Sequence, residues 1–183
     1  MLQEDEQGRL DALARYAIPD STADQEFDDL AALAARACGA PVAFIALVDR
    51  DEIRFRSRFG LDLENAPRAG SFCDCAAHGG PLVIVDASRD ARFAASPLVT
   101  GAAGIRAYAG VPLRVQGHHA VGTIAVADVV ARTFDATALD TLKQVYREQT
   151  DALVEGGADF VLIRSEEHTS ELQSRLHLVC RLL

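Results

Sequence analysis

This sequence predicts a mixed α and β fold, a mainly antiparallel sheet with helices packed on one face, and three observations carry that prediction. Pro41 to Asp49 (PVAFIALVD) is a nearly continuous apolar run bounded by a proline and a charged turn, the pattern of a central strand buried on both faces. Ile53 to Phe59 (IRFRSRF) alternates apolar and polar residues, which reads as a strand with one wet face. Around these two, the patterns run in the order helix, hairpin, connection, strand, connection, hairpin, helix, an order that favours an antiparallel sheet over a parallel one.

Residues 4–16 set Leu10, Leu13 and Tyr16 among charges, a short amphipathic helix. Ile18-Pro19-Asp20-Ser21 ends it, because proline lacks the N–H donor and restricts the residue before it. Thr22 and Gln25 have the spacing of a capping box for a second helix. That helix runs to about Cys38 with Phe27, Leu30, Leu33, Ala34 and Ala37 on one stripe, and Gly39 is its stop. The two strands named above follow, joined by a tight turn at Arg50-Asp51, and Gly60 ends the second. Residues 61–80 form a long connection with a short helical stretch near Phe72–Ala77. Leu82 to Asp86 reads as a short strand, and 88–104 as a loop punctuated by Pro and Gly. Strands at about 106–115 and 119–128 meet through Gln116-Gly117-His118, and from Asp135 the spacing of Leu139, Leu142 and Val145 is helical again.

A length of 183 residues suits one domain, with 49% hydrophobic and 25% charged residues, the balance of an ordinary soluble protein. The net charge of −9 argues against non-specific binding to nucleic acid, which needs clustered Lys and Arg, and against docking on an anionic membrane. The acidic start, Met1-Leu2-Gln3-Glu4-Asp5-Glu6, has neither the basic nor the apolar region of an export signal. No apolar run approaches the ~18 residues of a membrane span. Four cysteines (Cys38, Cys73, Cys75, Cys180) without such a signal point to a reducing compartment, so a cytoplasmic location is expected.

A family resemblance rests on several short motifs in order. Arg9-Leu10, Ala12-Leu13, Tyr16, Ile18 and Asp20 through Phe27-Asp28 and Leu30 are similar to the opening of many bacterial GAF domains. Ala43 to Asp49 resembles their central strand, and Arg58-Phe59-Gly60-Leu61 the end of the next. Pro67-Arg68, Ser71-Phe72-Cys73, Asp90, Arg92-Phe93 and Pro97-Leu98-Val99 continue the likeness. Gly104-Ile105-Arg106, Tyr108-Ala109-Gly110, Pro112-Leu113 and Gly122-Thr123 complete it. The resemblance implies a twisted antiparallel sheet of five or six strands, a helical layer behind it and a ligand pocket in front. It also implies a sensory module upstream of an output domain, and no kinase or cyclase motif is present in this chain. On this division residues 1–20 are an N-terminal helix and linker, and 21–143 the GAF domain.

Arg68, Ser71, Cys73, Cys75, Arg106 and Tyr108 are the candidate ligand-binding residues, because the matching segments of the family face its pocket. Two guanidiniums converging on one cavity favour an anionic ligand through bidentate bonds. The structural alternative is that Arg68 and Arg106 pair with Asp86 or Asp90 and hold the long connections. Cys73, Cys75 and His78 make C-x-C-x-x-H. Thiolates and an imidazole suit zinc, but a structural site wants four ligands and no fourth stands out. A redox pair is the other chemistry, and an incidental or structural role the plain one. His118-His119 falls in a hairpin turn, where neighbours point to opposite faces and do not share a site. The acids Asp24, Glu26, Asp28 and Asp29 fall in the first turn of a helix, where its dipole favours negative charge. No hydrolase, P-loop, dinucleotide or zinc-protease motif occurs, so neither an enzyme, a metal nor a cofactor is expected.

Residues 164–174 (RSEEHTSELQS) resemble the translation of a widely used sequencing-library adapter, so 164–183 is read as an artefact and excluded from the fold. Residues 145–163 resemble a helix–strand unit of a homocysteine S-methyltransferase, which makes 144–163 either a chimeric fragment or a native trailing helix. The expected function is a regulatory GAF input domain that binds a small ligand or relays signals through helices of a homodimer to a lost C-terminal output domain. The alternatives are a thiol enzyme of the free methionine sulfoxide reductase type, acting through Cys73 or Cys75, and a ligand-free dimerisation module.

Overall fold

The computed structural model describes residues 2–15, 23–115, 119–135, 137–138 and 140–144. The chain divides into two compact units, residues 1–142 and 143–183, of which the second is described only at residues 143 and 144, both helical. The break at 18–21, the Thr22 cap, the 116–118 turn and everything from 145 onward lie outside the described residues.

The first unit begins with α1 (Leu2–Arg15) and α2 (Ala23–Ala37). Gly39 stops α2 as expected. At φ 56° it lets its own N–H reach the Arg36 carbonyl (3.2 Å) and the Ala40 N–H reach that of Ala35 (2.8 Å). This Schellman arrangement needs the left-handed backbone that glycine adopts without cost. Strands β1 (Val42–Val48) and β2 (Glu52–Phe59) follow, then a short β3 (Asn65–Pro67), helix α3 (Phe72–Gly79) and β4 (Leu82–Ile84). A 3-10 turn at Ala87–Arg89, α4 (Pro97–Thr100), β5 (Ala107–Val115) and β6 (His119–Asp128) complete the order. The Asp135 carboxylate accepts from the Ala138 N–H at 2.9 Å and caps the helical residues that follow.

The sheet has six strands in the order β3-β2-β1-β6-β5-β4, and every neighbouring pair is antiparallel. Strand β1 is central, and its apolar run is buried on both faces. Phe44, Ala46 and Val48 point to the side covered by α3, where they join Ile53, Phe55, Phe72, Phe93 and Tyr108 in the main core. Leu47 points to the other side, where Ala12 and Leu13 of α1 pack with Val121.

Two bulges correct what simple alternation implies. Ile45 pairs with Ser57 but Ala46 with Phe55, so Arg56 is an extra residue in β2. An extra residue reverses the facing of everything beyond it. Ser57, opposite Ile45, is therefore buried on the other face from Phe55, while Phe59, which alternation puts on the same face as Phe55, is 37% exposed. In β6, Leu113 pairs with Gly122 and Arg114 with Ala120, so Val121 is the extra residue and turns towards α1. The edge strand β3 and helix α4 sit inside segments that read as connections. Three and four residues are too few to show a period.

Candidate functional site

Helix α3 and the start of β5 carry most of the candidate residues. Ser71 is the N-cap of α3, and its hydroxyl accepts from the Asp74 N–H at 3.0 Å. The cap fixes where α3 begins, and the next residues, Phe72 and Cys73, turn fully into the core. Phe72 stacks on Tyr108 with ring centroids 4.9 Å apart and 18° between planes, and meets Phe93 at 4.7 Å. Phe44 adds a tilted contact to Tyr108 at 6.3 Å and an edge contact to Phe55 at 5.1 Å. The face of the sheet under α3 is thus filled by aromatic rings.

Cys73 and Tyr108 lie within that filling, both at 0% exposure. Burial pushes the Cys73 thiol up to about 11, because the thiolate would lose its hydration there. Burial likewise holds the Tyr108 phenol well above its ordinary value, and the nearby Cys73 adds to this. Thr123 of β6 completes the polar group, and its hydroxyl and that of Tyr108 are buried beside the Cys73 thiol. Sequence reasoning missed Thr123, although a lone hydroxyl inside Val121 to Ala127 (VGTIAVA) was the signal available. Cys75 is half-buried at the margin of the same core, with its sulfur 3.9 Å from Nη1 of Arg92. Residues two apart on a helix do not share a face, which explains why C-x-C makes no joint site. Among the described residues no three His, Cys, Asp or Glu side chains gather as metal ligands would.

The two candidate arginines share no partner. Arg68 gives Nε to Asp74 at 2.7 Å and Nη1 to Glu6 at 2.6 Å, and Nη1 also reaches the carbonyls of Asp49 (3.2 Å) and Arg50 (3.1 Å). Arg106 spends Nη1 on the carbonyls of Val99 (2.9 Å), Gly104 and Ile105 (both 3.2 Å), which closes the loop around α4. Both arginines do hold connections, through hydrogen bonds to groups other than the expected acids, while the Arg106 charge is near enough to Asp86 to help lower its carboxyl. Asp86 instead caps the 3-10 turn through Ser88, and Asp90 pairs with Arg92 at 2.7 Å. His78 places Nδ1 2.9 Å from the Asp74 carbonyl and 3.3 Å from its carboxylate, with Nε2 3.7 Å from Glu6. His119 packs against Gly8 of α1.

Residues 22–148 match the family model for the GAF domain. The chain belongs to the GAF domain family. A cyclic di-GMP phosphodiesterase of Pseudomonas aeruginosa is 35% identical over 126 residues, which is 68% of this chain. The chain spans only 22% of the length of that relative. The GAF domain of an Acinetobacter phosphoenolpyruvate-protein phosphotransferase has a TM-score of 0.58 at 18% identity, covering 82% of this chain and 98% of that one. The free methionine-R-sulfoxide reductase of Neisseria meningitidis, solved with its substrate, has a TM-score of 0.55 at 24% identity, covering 79% and 84%. At these identities the two structural likenesses establish the fold.

Glu6, in the helix that precedes the matched GAF residues and 62 residues before Arg68, gave no signal in the sequence, yet its carboxyl is strongly perturbed. Hydrogen bonding to Arg9, then to Arg68, lowers it from 4.5 to about 2, against an opposing effect of burial. A depressed carboxylate stabilises the fold fully above its unfolded value, and that contribution is lost as pH falls towards the folded value. The docking of α1 is therefore expected to hold steady from pH 7 to about 4.5 and to weaken between there and about 2. Far-ultraviolet dichroism melts of the wild type and Glu6→Gln across that range check it. The difference in Tm between the two should shrink as the carboxylate is protonated; a difference independent of pH would refute the assignment.

Proposed function

We propose that this GAF domain is a regulatory input module of a bacterial signal-transduction protein. It takes up a small ligand or passes on a helix movement, acts in the cytoplasm, and hands its signal to a separate C-terminal output module. The matching relative, a cyclic di-GMP phosphodiesterase, supports the signalling context, since the likeness occupies 22% of that protein and leaves most of it to other sequence. No helix among the described residues is long and apolar enough to cross a membrane.

One observation carries the regulatory reading over a thiol enzyme that acts through Cys73. Cys73 is sealed in the core with its thiol pushed up to about 11, whereas a nucleophilic cysteine is partly exposed with a lowered value. The test combines thiol titration of the folded chain with turnover of free methionine-R-sulfoxide under dithiothreitol. Cys73 is expected to react only after denaturation, and no turnover is expected. Sulfoxide reduction that disappears in Cys73→Ser or in Cys75→Ser would overturn the regulatory reading. Calorimetry against cyclic nucleotides and small anions separates a ligand-binding sensor from a ligand-free dimerisation module. With Arg68 and Arg106 both committed to protein groups, anions are expected to bind weakly.

A further inference from the structure

Helix α1 is fastened to the domain by a small apolar contact and a larger charged one. The apolar part is Ala12 and Leu13 against Val121, with Leu10 and Leu47 beside them. The charged part begins at Arg9, 4% exposed, which donates to the Val48 carbonyl at the end of β1. Arg9 also holds Glu6 through two bonds of 2.8 Å each. Glu6 accepts from Nη1 of Arg68 at 2.6 Å, and the Nε of the same guanidinium binds Asp74 of α3 at 2.7 Å. One planar fork is thus shared by a carboxylate of α1 and a carboxylate of α3, while its Nη1 also reaches the turn between β1 and β2.

A guanidinium presents its donors in a rigid plane, so it holds two carboxylates only while both stay in position. Helix α3 in turn rests on the aromatic filling through Phe72, so anything that shifts Phe72 or Tyr108 shifts Asp74. We infer that Arg68 is a coupling clasp that makes the docking of α1 conditional on the position of α3. A displacement of α3 on the sheet is thereby transmitted to the N-terminal helix. The use of this clasp in signalling rests on the regulatory reading above; the coupling does not.

Asp74 makes the deciding probe, because its side chain is held by Arg68 and His78, both of which lie outside α1. Hydrogen exchange read by mass spectrometry on the full chain compares the wild type, Glu6→Gln, Asp74→Asn and the double variant. Each single change is expected to speed exchange of the α1 amides by about two- to fivefold, the size of a coupling between groups in contact. Amides of β1 and β6 should keep their wild-type protection. The double variant should exchange no faster than the faster single one. Wild-type α1 exchange in Asp74→Asn, or effects that multiply in the double variant, would overturn the clasp. Arg68→Lys gives a second measurement should Asp74→Asn lose sheet protection: it keeps the charge but not the fork, and must loosen α1 alone. Sulfoxide turnover would sink the regulatory reading and leave this exchange result untouched.

Discussion

Phe72→Ala is expected to cost the domain about 3–5 kcal/mol, the usual penalty for removing a fully buried aromatic ring. Phe72 is at 0% exposure and lies between Tyr108 at 4.9 Å and Phe93 at 4.7 Å, so its loss leaves a void bounded by two rings. Neither ring can collapse freely into it. Tyr108 is seated against Gly110, where even a Cβ would come within 2.2 Å of its hydroxyl, and Phe93 belongs to the packed loop before α4. For a domain of this size the loss corresponds to a fall in Tm of roughly 10–15 °C. A second effect follows from the same ring. Phe72 and Cys73 are buried in the same core, so the native thiol should become titratable in Phe72→Ala while it stays silent in the wild type. Phe72→Leu, which refills most of the space, is expected to cost clearly less. A fall in Tm below about 4 °C for the alanine variant, the shift of roughly 1 kcal/mol, would show that the ring is not a keystone of this face.

Gly122→Ala adds a single carbon and is expected to cost a comparable amount, about 3 kcal/mol. Gly122 stands opposite Leu47, near the end of β1, where β6 runs alongside it. A Cβ added there would lie 2.2 Å from the Ala46 carbonyl oxygen and 3.2 Å from the Leu47 Cα. These are backbone atoms of the central strand, so no rotamer change relieves the clash; the two strands must separate or the bulge at Val121 must move. Gly79→Ala is the control, since nothing lies within 4 Å of its Cβ position. Paired thermal melts decide: a large loss at 122 with less than about 0.5 kcal/mol at 79 is expected, and equal effects would contradict the close strand approach.

The same residues explain which parts of the molecule were readable in advance. The buried central strand, helix α2 with its glycine stop, and the short helix after Ser71 each leave a local trace, because period, cap and stop residues act within a few positions. The strand β3 and helix α4 left none, being shorter than one readable period. Arg68, Ser71, Cys73, Cys75, Arg106 and Tyr108 were picked out as one group, and the fold splits them. Ser71 caps a helix, Cys73 and Tyr108 fill the core, and Cys75 lies near Arg92. The two arginines hold different loops and share no partner.

The order of residues alone therefore settled the mixed class, the antiparallel layer, its central strand and the family, all of which follow from hydrophobic period and turn chemistry along the chain. Only the folded molecule decided which face each residue beyond a bulge presents, that Cys73 is sealed in the core, and that Glu6 and Asp74 meet on one guanidinium. Burial and ion pairing depend on distances between segments far apart in the chain, and a local pattern carries no information about those distances.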